Sequence, residues 1–256
     1  MSTKPDFVHL HLHTEFSLLD GAGHVGELVG EAERLGMKAM AITDHGNMFG
    51  AVNFHDACRE RGVKPILGCE VSVAPGSRFT REASSASEAY NHFTLLASND
   101  TGYHNLIKLV SMGYLEGFYH RPRIDKDVLA KHSEGLIGLS GCLSSEVSQN
   151  ILAGADAAAL ESVGLFSEIF GKDRFYLEVM EHGIPEQRRV NQALLRIREK
   201  TGLALAATND AHYLHQDDHQ AHDVLLCIGS GKKVHDAERL RFDGSEFYLK
   251  SPEEMA

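Results

Sequence analysis

Long apolar runs are missing from this chain. No stretch of its 256 residues approaches the roughly eighteen unbroken apolar residues of a membrane span. The first residues, Met1 to Asp6, are polar and carry no apolar segment of the signal-peptide kind, so the expected location is the cytoplasm, with no membrane partner. Cysteine is scarce as well. Cys58, Cys69, Cys142 and Cys227 lack the paired spacing of a zinc ribbon and are too few to staple a chain this long, which predicts reduced thiols. Basic residues are in deficit: 25 Lys and Arg stand against 36 Asp and Glu, a net charge of -11, which argues against a free-standing binder of duplex DNA with a broad basic face. The deficit does not exclude nucleic acid, because divalent ions held by carboxylates reverse the field that a phosphate meets. Disorder is excluded by 43% hydrophobic content with 24% charged residues.

What is present is a regular alternation. Short apolar runs at Phe7 to Leu12, Lys38 to Thr43, Lys64 to Val73, His92 to Ala97, Gly135 to Ser140, Phe175 to Met180 and Leu203 to Thr208 predict seven strands. Between them, apolar residues at three- and four-residue steps predict helices at Val25 to Leu35, Phe49 to Glu60, Asn105 to Leu115, Ala157 to Phe170 and Pro185 to Lys200, with Gly36, Gly62, Gly171 and Gly202 where they stop. This pattern predicts an α/β fold with a parallel sheet, closed as a barrel or open and doubly wound. The polar residues favour the barrel, since Thr43-Asp44-His45, Gly68-Cys69-Glu70, Gly141-Cys142 and Asn209-Asp210 all follow or finish apolar runs, where a barrel gathers its active site. His92 fits less well, because it opens its run. Pro75 to Ala89 and Gly117 to Asp127 look like excursions from the barrel. No linker divides residues 1–256, which are expected to form a single domain. Past residue 231 the pattern weakens, and Ser251-Pro252-Glu253-Glu254 has the capping pattern of a first helical turn.

Nine potential ligands lie along this scaffold: His11, His13, Asp20, His45, Glu70, His92, Cys142, Asp210 and His212. In an extended segment, positions i and i+2 share a side, so His11 with His13 and Asp210 with His212 can each aim two donors at one point. Nine N, O and S donors are too many for one ion. Imidazole, carboxylate and one thiolate together suit zinc, with manganese or iron as alternatives. Glu70 is a natural bridge, having two oxygens to offer. Clustered metals point to hydrolysis of a phosphate ester, since such ions lower the pKa of water and hold phosphoryl oxygens.

The run Phe7-Val-His-Leu-His-Leu-His-Thr-Glu-Phe-Ser-Leu-Leu-Asp-Gly21, with Ile42-Thr-Asp-His-Gly46, Gly68-Cys-Glu70 and Thr208-Asn-Asp-Ala-His212, resembles the PHP (polymerase and histidinol phosphatase) domain. More narrowly, Ser17-Leu-Leu-Asp20, Asn99-Asp-Thr-Gly-Tyr-His-Asn-Leu106 and Gly138-Leu-Ser-Gly-Cys-Leu143 resemble the N-terminal PHP domains of bacterial DNA polymerase III alpha subunits. The resemblance implies a distorted (β/α)7 barrel with three divalent metal ions at the C-terminal face of its strands. It implies that His11, His13, Glu70 and Asp210 hold one ion, Glu70, His92 and Cys142 a second, and Asp20, His45 and His212 a third. Asp20, Glu70 and Asp210 are then the candidate catalytic carboxylates. The implied activity is metal-dependent 3'-5' exonuclease proofreading on a DNA 3' end. The implied partners are the remaining polymerase domains, toward which 231–256 would lead, and a separate proofreading subunit. Polymerisation belongs in this family to a palm domain outside this chain.

Two other classes compete. A stand-alone phosphatase acting on a small monoester shares the metal residues, and a metal-stabilised scaffold needs no catalysis. An amidohydrolase, which also uses His-x-His on a first strand, is more distant, for want of a strand-end lysine to bridge its metals. Among the remaining residues, His9 is expected in the interior with a hydrogen bond, and Asp44 as a carboxylate that anchors an imidazole or caps a helix. His182 is either a substrate contact or a surface residue. Arg78, Arg81, Arg121 and Arg123 are solvated charges or grips for DNA phosphates. His215, His219 and His222, at helical spacing, suggest either a further metal site or, more simply, a surface helix.

Overall fold

The computed structural model describes residues 6–83 and 86–256, so parts of the polar start and of the Pro75 to Ala89 loop lie outside the described residues. The fold is mixed α/β. The chain resolves into two compact units, residues 1–44, 49–67 and 209–256 forming the first and residues 45–48 and 68–208 the second. Among the described residues, no helix is long and apolar enough to cross a membrane.

In the first unit, β1 (Ala39–Ile42) runs parallel to the first four residues of β2 (Lys64–Val73), pairing Ala39 with Lys64 and Ile42 with Leu67. The helix Val25–Arg34 buries Val25, Leu28, Val29 and Ala32, the stripe that its apolar spacing prescribes. Leu28, Met40, Phe54 and Cys58 pack with it into one core. The expected strand at Phe7 to Leu12 is reduced to a single bridge between Leu12 and Ala211. Its backbone does bond to β1 and beyond, through Ala41 N–H to the His9 carbonyl and Thr43 N–H to the Leu12 carbonyl. The ladder breaks because Leu12 N–H donates to the Thr43 hydroxyl at 2.8 Å instead of a carbonyl. Near the end of the chain, helix Pro252–Met255 carries the expected cap, a reciprocal pair between Ser251 and Glu254.

The second unit holds the remainder of β2 with β3 (Asn91–Ala97), β4 (Arg123–Ile124), β5 (Leu136–Leu139), β6 (Phe175–Val179) and β7 (Leu205–Ala207). β5, β6 and β7 are parallel to one another, as expected, and β2 is parallel to β4. The uniform parallel order nevertheless fails at β3, which runs antiparallel to both β2 and β5. Among the described residues, the connection from β2 to β3 holds the short helix Ala86–Ala89 and no full crossover helix, so the chain returns alongside β2. This reversal accounts for His92: the start of β3 meets the end of β2, with His92 opposite Ser72. Phe93 anchors the core here, stacked on Phe166 and Phe170 with ring centroids 4.5 and 5.6 Å away.

The Asn99 to Leu106 stretch proves to be a device for seating helix Asp100–Leu115. Asn99 caps the helix by accepting Gly102 N–H at 3.0 Å, and Asn105 donates to the Glu134 carbonyl at 2.9 Å. A Cβ on Gly102 would fall 1.8 Å from the Gly135 carbonyl oxygen, so only glycine allows this approach. Chemical denaturation should show Asn99→Ala losing about 1 kcal/mol of stability, and Gly102→Ala losing about 3 kcal/mol because backbone must shift. Equal losses in the two variants would contradict this packing.

Candidate metal centre

In the first unit, four of the expected ligands converge. Asp210 Oδ1 lies 3.3 Å from His11 Nε2, 3.2 Å from His13 Nε2 and 3.6 Å from His212 Nδ1. All four residues are buried, and the rings of His13 and His212 stack 4.3 Å apart. Asp210 adopts a left-handed backbone with φ 45, a conformation that Asp tolerates better than most residues. Burial alone would push its carboxyl upward. When protonated, the imidazoles of His11, His212 and His13 outweigh burial and hold it well below the usual carboxylate range.

Two proton positions follow from the partners. Ser17 donates its only hydroxyl proton to Asp44 Oδ1 at 2.6 Å, so its contact with His13 Nδ1 at 2.9 Å has the imidazole as donor. The His212 Nδ1 contact with the Asp210 carbonyl at 2.7 Å likewise has nitrogen donating. In the neutral rings, both lone pairs therefore sit on Nε2. His13 Nε2 faces a carboxylate oxygen that is buried and accepts no hydrogen bond. Two acceptors this close repel unless a cation lies between them. Ligands about 2.0–2.1 Å from a tetrahedral zinc stand about 3.3 Å from each other, which matches the observed spacing. The residues present fit a divalent ion.

The second unit brings together the other set. Glu70, 2% exposed, offers one oxygen to His45 Nδ1 at 2.6 Å and the other to His92 Nδ1 at 3.0 Å. Cys142 Sγ stands 3.7 Å from Glu70 Oε1 and 3.6 Å from His92 Nδ1. A thiolate about 2.3 Å from an ion stands about 3.6 Å from an oxygen or nitrogen ligand of that ion, so this triangle too fits a metal. His45, Glu70 and His92 form a His/Glu cluster whose ligand atoms lie within 4.8 Å of one another. None of the four cysteines is joined in a disulfide.

Asp20 has its Oδ1 3.9 Å from His222 Nε2. It follows Leu19, whose φ of 62 is strained for a non-glycine residue, in a turn that closes through Asp20 N–H and Gly21 N–H to the Ser17 carbonyl. His222 is 2% exposed, which corrects the expectation of a surface helix at this position; His219 on the same helix is half-buried, and His215 before it is exposed. Burial lowers the His222 pKa to about 4. His9 is interior as expected: it donates to the Lys250 carbonyl at 2.9 Å, and burial lowers its pKa to about 4.

Asp44 anchors an imidazole, that of His13, through Ser17. Thr14 gives the same carboxylate two further bonds, of 2.7 and 2.9 Å. Sequence reasoning missed Ser17, although its i+4 spacing from His13 was a usable signal. It missed Glu178 too, a charged residue inside the apolar strand β6. Glu178 accepts Gly141 N–H at 3.0 Å and the Thr208 hydroxyl at 2.7 Å, fixing the turn before Cys142. Gly141 has φ 89, and a Cβ there would lie 2.9 Å from the His92 carbonyl oxygen.

Two of the four candidate DNA grips are structural. Arg78 is bound by Glu116 and Asp125 at 2.7 and 2.9 Å. Arg123 is 2% exposed and spends its guanidinium on four backbone carbonyls. Only Arg81 and Arg121 of the four are exposed. His182 is buried, not at the surface, and held by Gln187 through its backbone N–H at 2.9 Å and its Nδ1 at 2.7 Å.

A profile of the PHP domain matches residues 9–182. DNA polymerase III subunit alpha from Treponema pallidum is 47% identical over 99% of this chain, and that from Thermus aquaticus 48% identical over 100%. The chain spans about a fifth of the length of these curated relatives, 22% and 21% respectively. Among solved structures, a two-domain protein of Bacteroides vulgatus, described as containing a predicted PHP-like metal-dependent phosphoesterase, is similar at a TM-score of 0.46 and 15% identity, covering 90% of this chain and 59% of that one.

Removing the Glu178 carboxylate should orphan the buried Gly141 N–H. Glu178→Ala is expected to lose about 1–3 kcal/mol in urea denaturation, whereas Glu178→Gln, which keeps an acceptor, should lose less than about 1 kcal/mol. Indistinguishable variants would show that this contact carries no weight.

Proposed function

This chain belongs to the PHP domain family, and from that premise we propose that it is a metal-dependent phosphodiesterase acting on DNA 3' ends, a 3'-5' exonuclease within a larger replicative polymerase. The observation that carries the reading is the unbonded Asp210 oxygen among three imidazoles, an arrangement that a divalent cation stabilises. On this reading His11, His13, Asp20, Asp210 and His212 of the first unit and His45, Glu70, His92 and Cys142 of the second are metal ligands, for three ions of the zinc type, with manganese or iron as alternatives.

Bound divalent ions polarise a phosphodiester and make water nucleophilic near neutral pH. The chain's own residues prepare that chemistry. Ser17 and the Asp210 carbonyl keep the protons of His13 and His212 on Nδ1, so that the Nε2 lone pairs are available without a deprotonation step. Asp20, Glu70 and Asp210 supply anionic oxygens, and Glu70 can serve two ions with its two. Glu178 and Gly141 hold Cys142 in place. No side-chain nucleophile is required. In this reading the remaining polymerase domains and a separate proofreading subunit are the partners, and residues 231–256 lead toward those domains.

The test compares hydrolysis of a 3'-mismatched primer with that of a small phosphate monoester, before and after chelation, alongside elemental analysis. Expected are bound divalent metal, faster turnover of the primer, and loss of activity on chelation. Asp20→Asn and Asp210→Asn should each reduce turnover about 100-fold or more while circular dichroism stays unchanged. Preference for the monoester would instead identify a small-molecule phosphatase. Bound metal with no hydrolysis of either would identify a scaffold.

A further inference from the structure

A cavity of about 520 Å3 in the first unit has no role in the ligand set. It lies between the helix His219–Ser230 and the irregular segment 231–244. Its lining combines three kinds of surface. Phe242 is half-buried and packs edge-on against His212 at 4.7 Å, so the cavity adjoins one of the proposed metal ligands. Val224 and Val234 expose apolar surface, at 46% and 47%. Two arginines also line it, beside Asp223, His219 and His222, and the arginines are not equivalent. Arg239 is committed to Asp223 by paired contacts, one of 2.8 Å. Arg241 is exposed, and its nearest carboxylate, Asp243, is 3.8 Å away, too far for a hydrogen bond, which leaves its donors for a ligand.

The volume suits one small ligand and not a duplex. An aromatic ring, flanking apolar surface and an uncommitted guanidinium are what a base, a sugar and a phosphate each require. We infer that this cavity holds a nucleoside monophosphate unit, the 3'-terminal nucleotide of a strand presented for hydrolysis, with the base toward Phe242 and a phosphate oxygen toward Arg241. The inference rests on the phosphodiesterase reading above for its strand, but the cavity's chemistry can be measured without catalysis.

The experiment is a calorimetric titration of the full chain in EDTA with deoxyadenosine 5'-monophosphate, deoxyadenosine and inorganic phosphate. The nucleotide should bind more tightly than either fragment. Arg241→Gln, at an exposed position, should weaken the nucleotide about fivefold and leave the nucleoside unchanged. Phe242→Leu, which keeps most of the ring's packing volume, should weaken both about tenfold. A nucleotide that binds no better than inorganic phosphate, or that is indifferent to both substitutions, overturns the inference. Primer hydrolysis by the metal-loaded chain separates the two readings: hydrolysis without nucleotide binding removes the cavity's role alone, whereas nucleotide binding without hydrolysis supports the site and removes the nuclease.

Discussion

The buried carboxylate of Asp44 is the anchor of the ligand set in the first unit. It accepts three short hydrogen bonds, from Thr14 N–H, the Thr14 hydroxyl and the Ser17 hydroxyl. Those bonds shape the turn that runs from Thr14 to Gly21 and so set where Asp20 begins. Through Ser17 they also decide which nitrogen of His13 carries the proton. One charge, 1% exposed, thus governs both the position of a carboxylate and the electronic readiness of an imidazole.

The ligand set of the second unit depends on the direction of one strand. Were β3 parallel to β2, the first residue of its apolar run would lie at the far end from Glu70. Running antiparallel, it brings His92 within 3.0 Å of a Glu70 oxygen. The same sheet edge receives Cys142 because Gly141 turns there with a left-handed backbone and Glu178 holds its N–H. Strand direction and buried hydrogen bonding are therefore parts of the site, as much as the donor atoms.

Much of this was legible in the chain. Six of the seven expected strands and all five expected helices lie where apolar periodicity placed them, because each buries one face or one stripe. The i, i+2 spacing of His11 with His13 and of Asp210 with His212 announced convergent donors. What periodicity does not encode is strand direction, so β3 was misjudged. It also does not encode which hydrogen bond wins at a strand end, as Leu12 shows by choosing a hydroxyl. Long-range pairs were invisible for the same reason: nothing in the local sequence at Glu178 names Gly141, and nothing at His222 names Asp20.

Arg123 joins the excursion that precedes β3 to the one that leads into β4, and among the described residues its guanidinium donates to main-chain oxygens, those of Arg78, Thr80, Ala89 and Gly117. A guanidinium that grips carbonyls is blind to the side chains attached to them. The outward residues of those excursions can therefore drift over evolutionary time, altering whatever they touch, while a single internal cation keeps the loops' path. The fold thus separates a surface free to diversify from an interior that must not.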